Sequence, residues 1–146
     1  MSNRTFYNEI LTEHNLNPIH KRKMENPDLI LEGVNPNCGD DIYIQLKMDG
    51  DRIIDGSFSG SGCAISQASA DIMLDIIIGK NKDEAFHLID LFMKMIRGNI
   101  TENELEELEE ACSLEDISHM PARVKCAVLS WHTLEEMLGR VKEERE

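Results

Sequence analysis

The chain has 146 residues, 41% hydrophobic and 29% charged, an ordinary composition for a globular protein and long enough for one domain with a core of its own. Acidic residues outnumber basic ones 28 to 15, a formal net charge of −13, which argues against a nucleic-acid partner and against an anionic membrane surface. No apolar run exceeds four residues, too short to span a bilayer, and Met1 to Tyr7 lacks the apolar stretch of a signal peptide, so a cytoplasmic chain with reduced thiols is expected.

In chain order, Thr5 to Leu16 predicts a helix, with Phe6, Ile10 and Leu11 on one face and Asn17-Pro18 at its end. Residues 17–28 are rich in turn formers and carry the basic run His20-Lys21-Arg22-Lys23, a docking patch for an acidic partner or a plain surface run. Leu29-Ile30-Leu31 reads as a short edge strand, and Asn35 to Asp40 as a turn. Ile42, Ile44, Leu46 and Met48 alternate with Tyr43, Gln45 and Lys47, the period of a half-buried strand. Asp49-Gly50 predicts a hairpin into a strand from Arg52 to Ser59, with Ile54, Gly56 and Phe58 on the parity opposite to Ile53.

After Gly60-Ser61-Gly62-Cys63 the period lengthens. Ile65, Ala68, Ile72 and Ile76 predict a helix from about Ala64 to Ile78, closed by Gly79. A second runs over Asp83 to Arg97 with Phe86, Ile89, Met93 and Ile96 inward, broken by Gly98. Thr101 with Glu104 fits a capping box opening a third helix, whose six glutamates between Glu102 and Glu110 read as a solvated face. Ser118 to Pro121 reads as a loop, and Arg123 onward as the last helix, with Val124, Val128, Trp131, Leu134 and Leu138 inward. Strands first and helices later predict an α+β fold: a small antiparallel three-stranded sheet with helices packed on one face.

The four cysteines carry the chemical information. No Cys-x-x-Cys pair is present, which argues against a zinc finger or ribbon. Cys38 lies in a turn. Cys63 stands where a strand hands over to a helix, and Cys126 near the start of the last helix. Helix N-termini favour the thiolate, the form that binds metal and attacks sulfur. Each thiol taken alone also fits a small buried hydrophobe. Asp40, two residues after Cys38, either caps a turn or joins the thiols; three thiolates and one carboxylate complete a tetrahedral zinc set. Cys112, at the end of the acidic helix, reads as structural. The five histidines show no metal-ligand spacing, and Gly60-Ser61-Gly62 lacks the residues of a phosphate loop.

Three motifs occur in order: Asn35-Pro36-Asn37-Cys38-Gly39-Asp40, Gly60-Ser61-Gly62-Cys63-Ala64-Ile65-Ser66, and Arg123-Val124-Lys125-Cys126-Ala127-Val128-Leu129-Ser130-Trp131. Together they resemble the SufU branch of the IscU-like (NifU N-terminal-like) iron–sulfur cluster assembly proteins, over nearly the whole chain. ISC-type scaffolds place the second cysteine where this chain has Ser61 and a histidine where it has Lys125. Their chaperone-recognition stretch is replaced here by His119-Met120-Pro121-Ala122-Arg123.

The resemblance implies the IscU-like fold in a single domain over residues 1–146, with an acidic helical insertion at about 86–110. It implies a zinc site made by Cys38, Asp40, Cys63 and Cys126, and a pyridoxal-phosphate cysteine desulfurase as partner. In the family account a desulfurase histidine takes a zinc position and frees the thiolate equivalent to Cys38, which accepts persulfide sulfur for the downstream SUF scaffold complex. Arg123, close to one helical turn before Cys126, is expected either to support the anionic site, orienting Asp40 through a two-point hydrogen bond, or to be a surface cation. The alternative is a scaffold on which the same thiolates ligate iron or a [2Fe–2S] cluster.

Overall fold

The computed structural model describes residues 3–139, with side chains from residue 9 onward, so the inward placement expected for Phe6 lies outside the described side chains. A first helix, α1 (Asn3–Leu16), precedes three strands, β1 (Leu29–Asn35), β2 (Asp40–Asp49) and β3 (Arg52–Ser61), which pair antiparallel in the order β1-β2-β3. Helices α2 (Ala64–Ile77), α3 (Lys82–Arg97) and α4 (Glu102–Glu107) follow, then a 3-10 helix (Glu109–His119) and α5 (Pro121–Met137). The fold is α+β, as the order of periodicities predicts.

Ile42, Ile44 and Leu46 of β2 point to one face and are buried there with Ile53 and Phe58 of β3. That face meets α2 and α5, whose Ile72, Met73, Leu74, Trp131 and Leu134 fill the same core. Each such side chain contributes roughly 1.5–3 kcal/mol over an exposed position. Gly56 marks a close approach between β3 and α2: a Cβ there would stand 2.8 Å from Leu74.

Ile53 and Phe58 share a face despite opposite parity because the pairing slips between them. Lys47 pairs with Asp55 but Met48 with Ile53, leaving Ile54 as an extra, half-exposed residue. This bulge corrects the simple alternation expected for β3. Gln45 departs from alternation too. It lies on the outer face, yet it is buried because segment 17–28 folds back over it: Met24 N–H donates to Gln45 Oε1 at 3.1 Å, and Gln45 Nε2 donates to Met24 O at 3.4 Å. The same segment runs beside β3, where Arg22 N–H donates to Phe58 O and Phe58 N–H to His20 O, each at 2.9 Å.

The strand expected at Leu29–Leu31 continues to Asn35. The expected Ser118–Pro121 loop is not one: the 3-10 helix runs to His119, and Pro121 opens α5 at its first position, where a missing N–H costs nothing. Capping boxes begin α3 (Asn81 with Glu84) and α4 (Thr101 with Glu104), the second as predicted.

Candidate metal centre

The turn joining β1 to β2 closes with Cys38 N–H donating to Asn35 O at 3.1 Å, and Gly39 supplies the left-handed φ of 74° that the turn needs. Cys38 thus projects from a turn, half-buried. Asp40, the first residue of β2, is 1% exposed. Its Oδ1 accepts from Cys63 N–H at 2.9 Å and from Ser66 Oγ at 3.1 Å; its Oδ2 is buried with no hydrogen-bond partner.

Cys63 is the N-cap of α2, and its sulfur accepts from Ser66 N–H at 3.4 Å. Gly62 before it leaves little room for a side chain: a Cβ would crowd Ser66 Oγ and fall 2.9 Å from Asp40 Oδ1. Cys126 lies in the second turn of α5, fully buried. Helices α2 and α5 are locked together beneath these two cysteines. Ser69 Oγ donates to Ala127 O at 2.7 Å and accepts from Trp131 Nε1 at 3.0 Å, while Trp131 stacks on Phe92 with ring centroids 4.1 Å apart.

Residues distant in sequence therefore converge. Ligand atoms of Cys38, Asp40 and Cys126 lie within 4.8 Å of one another. Cys63 is not part of that triangle. Its sulfur meets Cys126 but is turned back to cap α2. Burial first, then hydrogen bonding with Cys38 and Cys63, then the charges of Cys63 and Asp40 push the Cys126 thiol well above its ordinary range.

A buried carboxylate oxygen with no donor, near the Cys126 sulfur whose ionisation burial opposes, is what a cation would complete. The residues present fit a thiophilic divalent metal such as zinc, with Cys38, Asp40 and Cys126 gathered and Cys63 beside Cys126.

Arg123 does not bond to Asp40, whose polar contacts are those to Cys63 and Ser66; it is exposed, one turn before Cys126. Lys125 is exposed. Cys112 stands apart, half-buried in the 3-10 helix, its thiol raised by burial and by Glu115 and Glu110. Histidine side chains face carboxylates rather than the cluster: His14 meets Asp71 and Glu110, His20 meets Asp75, and His87 meets Glu107. The supporting residue that pattern reading missed is Ser66. Its signal is the three-residue spacing after Cys63, the spacing of an N-cap and the backbone N–H it receives.

Fold and cluster together define a small α+β domain that gathers thiols and one carboxylate from a turn and two helix starts. The chain belongs to the NifU-like N-terminal domain family, whose model matches residues 6–144. It is 38% identical over 135 residues to the iron–sulfur cluster assembly scaffold protein IscU of Streptococcus pyogenes serotype M1, spanning 92% of this chain and 83% of that protein. It is also 38% identical over 140 residues to the zinc-dependent sulfurtransferase SufU of Bacillus subtilis, spanning 96% and 92%. A crystal structure described as an iron–sulfur cluster assembly scaffold protein for the SUF system, from Fervidobacterium islandicum, superposes with a TM-score of 0.82 at 37% identity, over 94% of this chain and 99% of that one. Among the described residues, no helix is long and apolar enough to cross a membrane.

Proposed function

We propose that this chain acts in iron–sulfur cluster assembly as a zinc-dependent acceptor and carrier of sulfur. It would take persulfide sulfur from a pyridoxal-phosphate cysteine desulfurase and pass it to the downstream SUF scaffold complex, in the cytoplasm, as one working domain over residues 1–146 with the acidic stretch at 86–110 as an insertion. The observation that carries this reading is the orphaned, buried Asp40 Oδ2 beside the sulfurs of Cys38 and Cys126. The name of the Bacillus subtilis relative supports it.

Zinc, when bound by Cys38, Asp40, Cys63 and Cys126, supplies a positive charge that keeps thiolates deprotonated without oxidising them. Among the sulfurs, Cys38 is the acceptor. Cys126 is fully buried and Cys63 is tied to the start of α2, whereas Cys38 is half-buried on a turn. Its thiolate attacks the outer sulfur of the donor persulfide. One S–S bond forms and one breaks, the donor leaves as a thiolate, and no net electrons are required. Arg123, exposed near the rim, serves the approach of an anionic donor rather than the orientation of Asp40.

A desulfurase assay with free cysteine tests the reading. Wild type should stimulate alanine release and gain one sulfur, and Cys38→Ala should do neither. Equal stimulation by both would end the proposal. A scaffold holding a [2Fe–2S] cluster on the same thiolates is the second reading, favoured by the name of the Streptococcus pyogenes relative. A stable brown chromophore after anaerobic purification would select it, and colourless protein with stoichiometric zinc would select sulfur transfer.

A further inference from the structure

His14 sits in the last turn of α1 and is buried. Its Nδ1 lies 2.8 Å from Asp71 Oδ2 on α2, and its Nε2 lies 2.6 Å from Glu110 Oε1 in the 3-10 helix. A neutral imidazole carries one N–H, so it donates to one carboxylate and turns a lone pair on the other. Only the imidazolium donates to both. Asp71 is completely buried, and it also accepts the backbone N–H groups of Ile19 at 3.3 Å and His20 at 2.8 Å. Its charge in that dry site is offset by the ring.

We propose that His14 is a proton-operated latch: the doubly bonded ring fastens α1 to α2 and to the 3-10 helix, and loss of the ring proton frees α1. The groups around it are accounted for. Asp71 faces the ring from α2 and Glu110 from the 3-10 helix. The connecting segment brings His20, whose own Nε2 lies 3.3 Å from Asp75 of α2. On α1 itself, Glu13 accepts from Asn17. Cys112, near Glu110, has its thiol raised by burial and nearby carboxylates and so stays neutral.

Burial works against the charged ring, but the bonds to Asp71 and Glu110 outweigh it and hold His14 above its ordinary value of 6.5. With the folded value raised, the latch contributes fully below pH 6.5 and is lost as pH rises through the folded midpoint. What moves with α1 is a wall of the cleft beside the cysteine end. Leu11, Asn15 and Leu16 line this space of about 330 Å³ with Ala64, Ile65 and Arg123, and Asn15 Nδ2 donates to Ala64 O at 3.4 Å.

The test is an NMR titration of the histidine rings of the full chain, paired with amide hydrogen exchange corrected for intrinsic rates, on wild type, Glu110→Gln and His14→Gln. Glu110 is half-exposed, so its replacement leaves the fold intact. His14 should titrate above 6.5. Crossing that midpoint should cost α1 about tenfold in protection, the equivalent of one charge-assisted hydrogen bond, while α3 is unchanged. Glu110→Gln should move both the midpoint and the loss of protection to lower pH. A His14 midpoint at or below 6.5 overturns the latch, as does an α1 protection profile identical in wild type and the variants. If His14→Gln does not fold, the comparison of wild type with Glu110→Gln decides alone. Neither readout involves sulfur, so the latch and the sulfur-transfer reading can fail separately.

Discussion

The acidic helices and the cysteine end treat charge in opposite ways. Along α3 and α4 several charges find partners within the chain. Asn81 with Glu84 and Thr101 with Glu104 close reciprocal caps, Lys94 Nζ meets Glu104 at 2.6 Å, and His87 meets Glu107 at 2.9 Å. At the cysteine end Asp40 keeps one buried oxygen unanswered, and the sulfur of Cys126 is hemmed in by two other thiols. The acidic region pairs these groups with its own residues; the cysteine end leaves an acceptor for something added. A strongly acidic composition therefore did not mark the place where a cation belongs.

Four experiments sharpen that contrast, from the largest effect to the smallest. Zinc at a thousandfold excess over its Kd should stabilise metal-free protein by about 4 kcal/mol, read as a rise in Tm that a chelator reverses. Asp40→Ala should weaken zinc retention by about 10–100-fold, and unchanged retention would remove Asp40 from the ligand set. Next, Gly62→Ala forces a Cβ onto Ser66 Oγ and Asp40 Oδ1. It should cost about 1–3 kcal/mol by the usual measure of overpacking and weaken metal binding along with stability; a variant that unfolds in denaturant like wild type would show that the cradle yields. Last, Thr101→Ala removes the cap of α4 and should cost about 1 kcal/mol, with zinc affinity unaltered in a competition titration. An altered affinity would mean that the two ends are coupled.

Much of this was legible in the residues, and the failures have physical causes. The β2 alternation, the Asp49-Gly50 hairpin and the helix-stopping Gly79 and Gly98 are local signals, and local geometry honours them. Ile54 was grouped with Gly56 and Phe58, and Ile53 set opposite them, because a bulge changes parity without changing composition. Gln45 looked like an outward strand residue because its cover, Met24, comes from a segment without regular period. The 3-10 helix carried a signal that went unread: Leu108, Ala111, Leu114 and Ile117 recur at steps of three, and all are fully buried. Three is the period of a 3-10 helix, which rarely runs so long. At the site, motif order pointed to Cys38, Asp40, Cys63 and Cys126, of which Cys38, Asp40 and Cys126 stand within 4.8 Å of one another; it did not show Cys63 turned toward Ser66 or Arg123 without a bond to Asp40. The first is a local cap of α2 that the spacing carried unread; the second follows from Asp40 being engaged by Cys63 and Ser66 once β2 and α2 are side by side.

The stretch from His20 to Arg22 lies along the free side of β3 and occupies its hydrogen bonds at Phe58. An open sheet margin is a template on which a second molecule can add strands and begin a fibre. Here the chain supplies its own short filler, held at Arg22 by a two-pronged contact with Asp55 at 2.8 and 2.9 Å. The flank is thus blunted against polymerisation by residues whose basic character had first drawn notice as a docking patch.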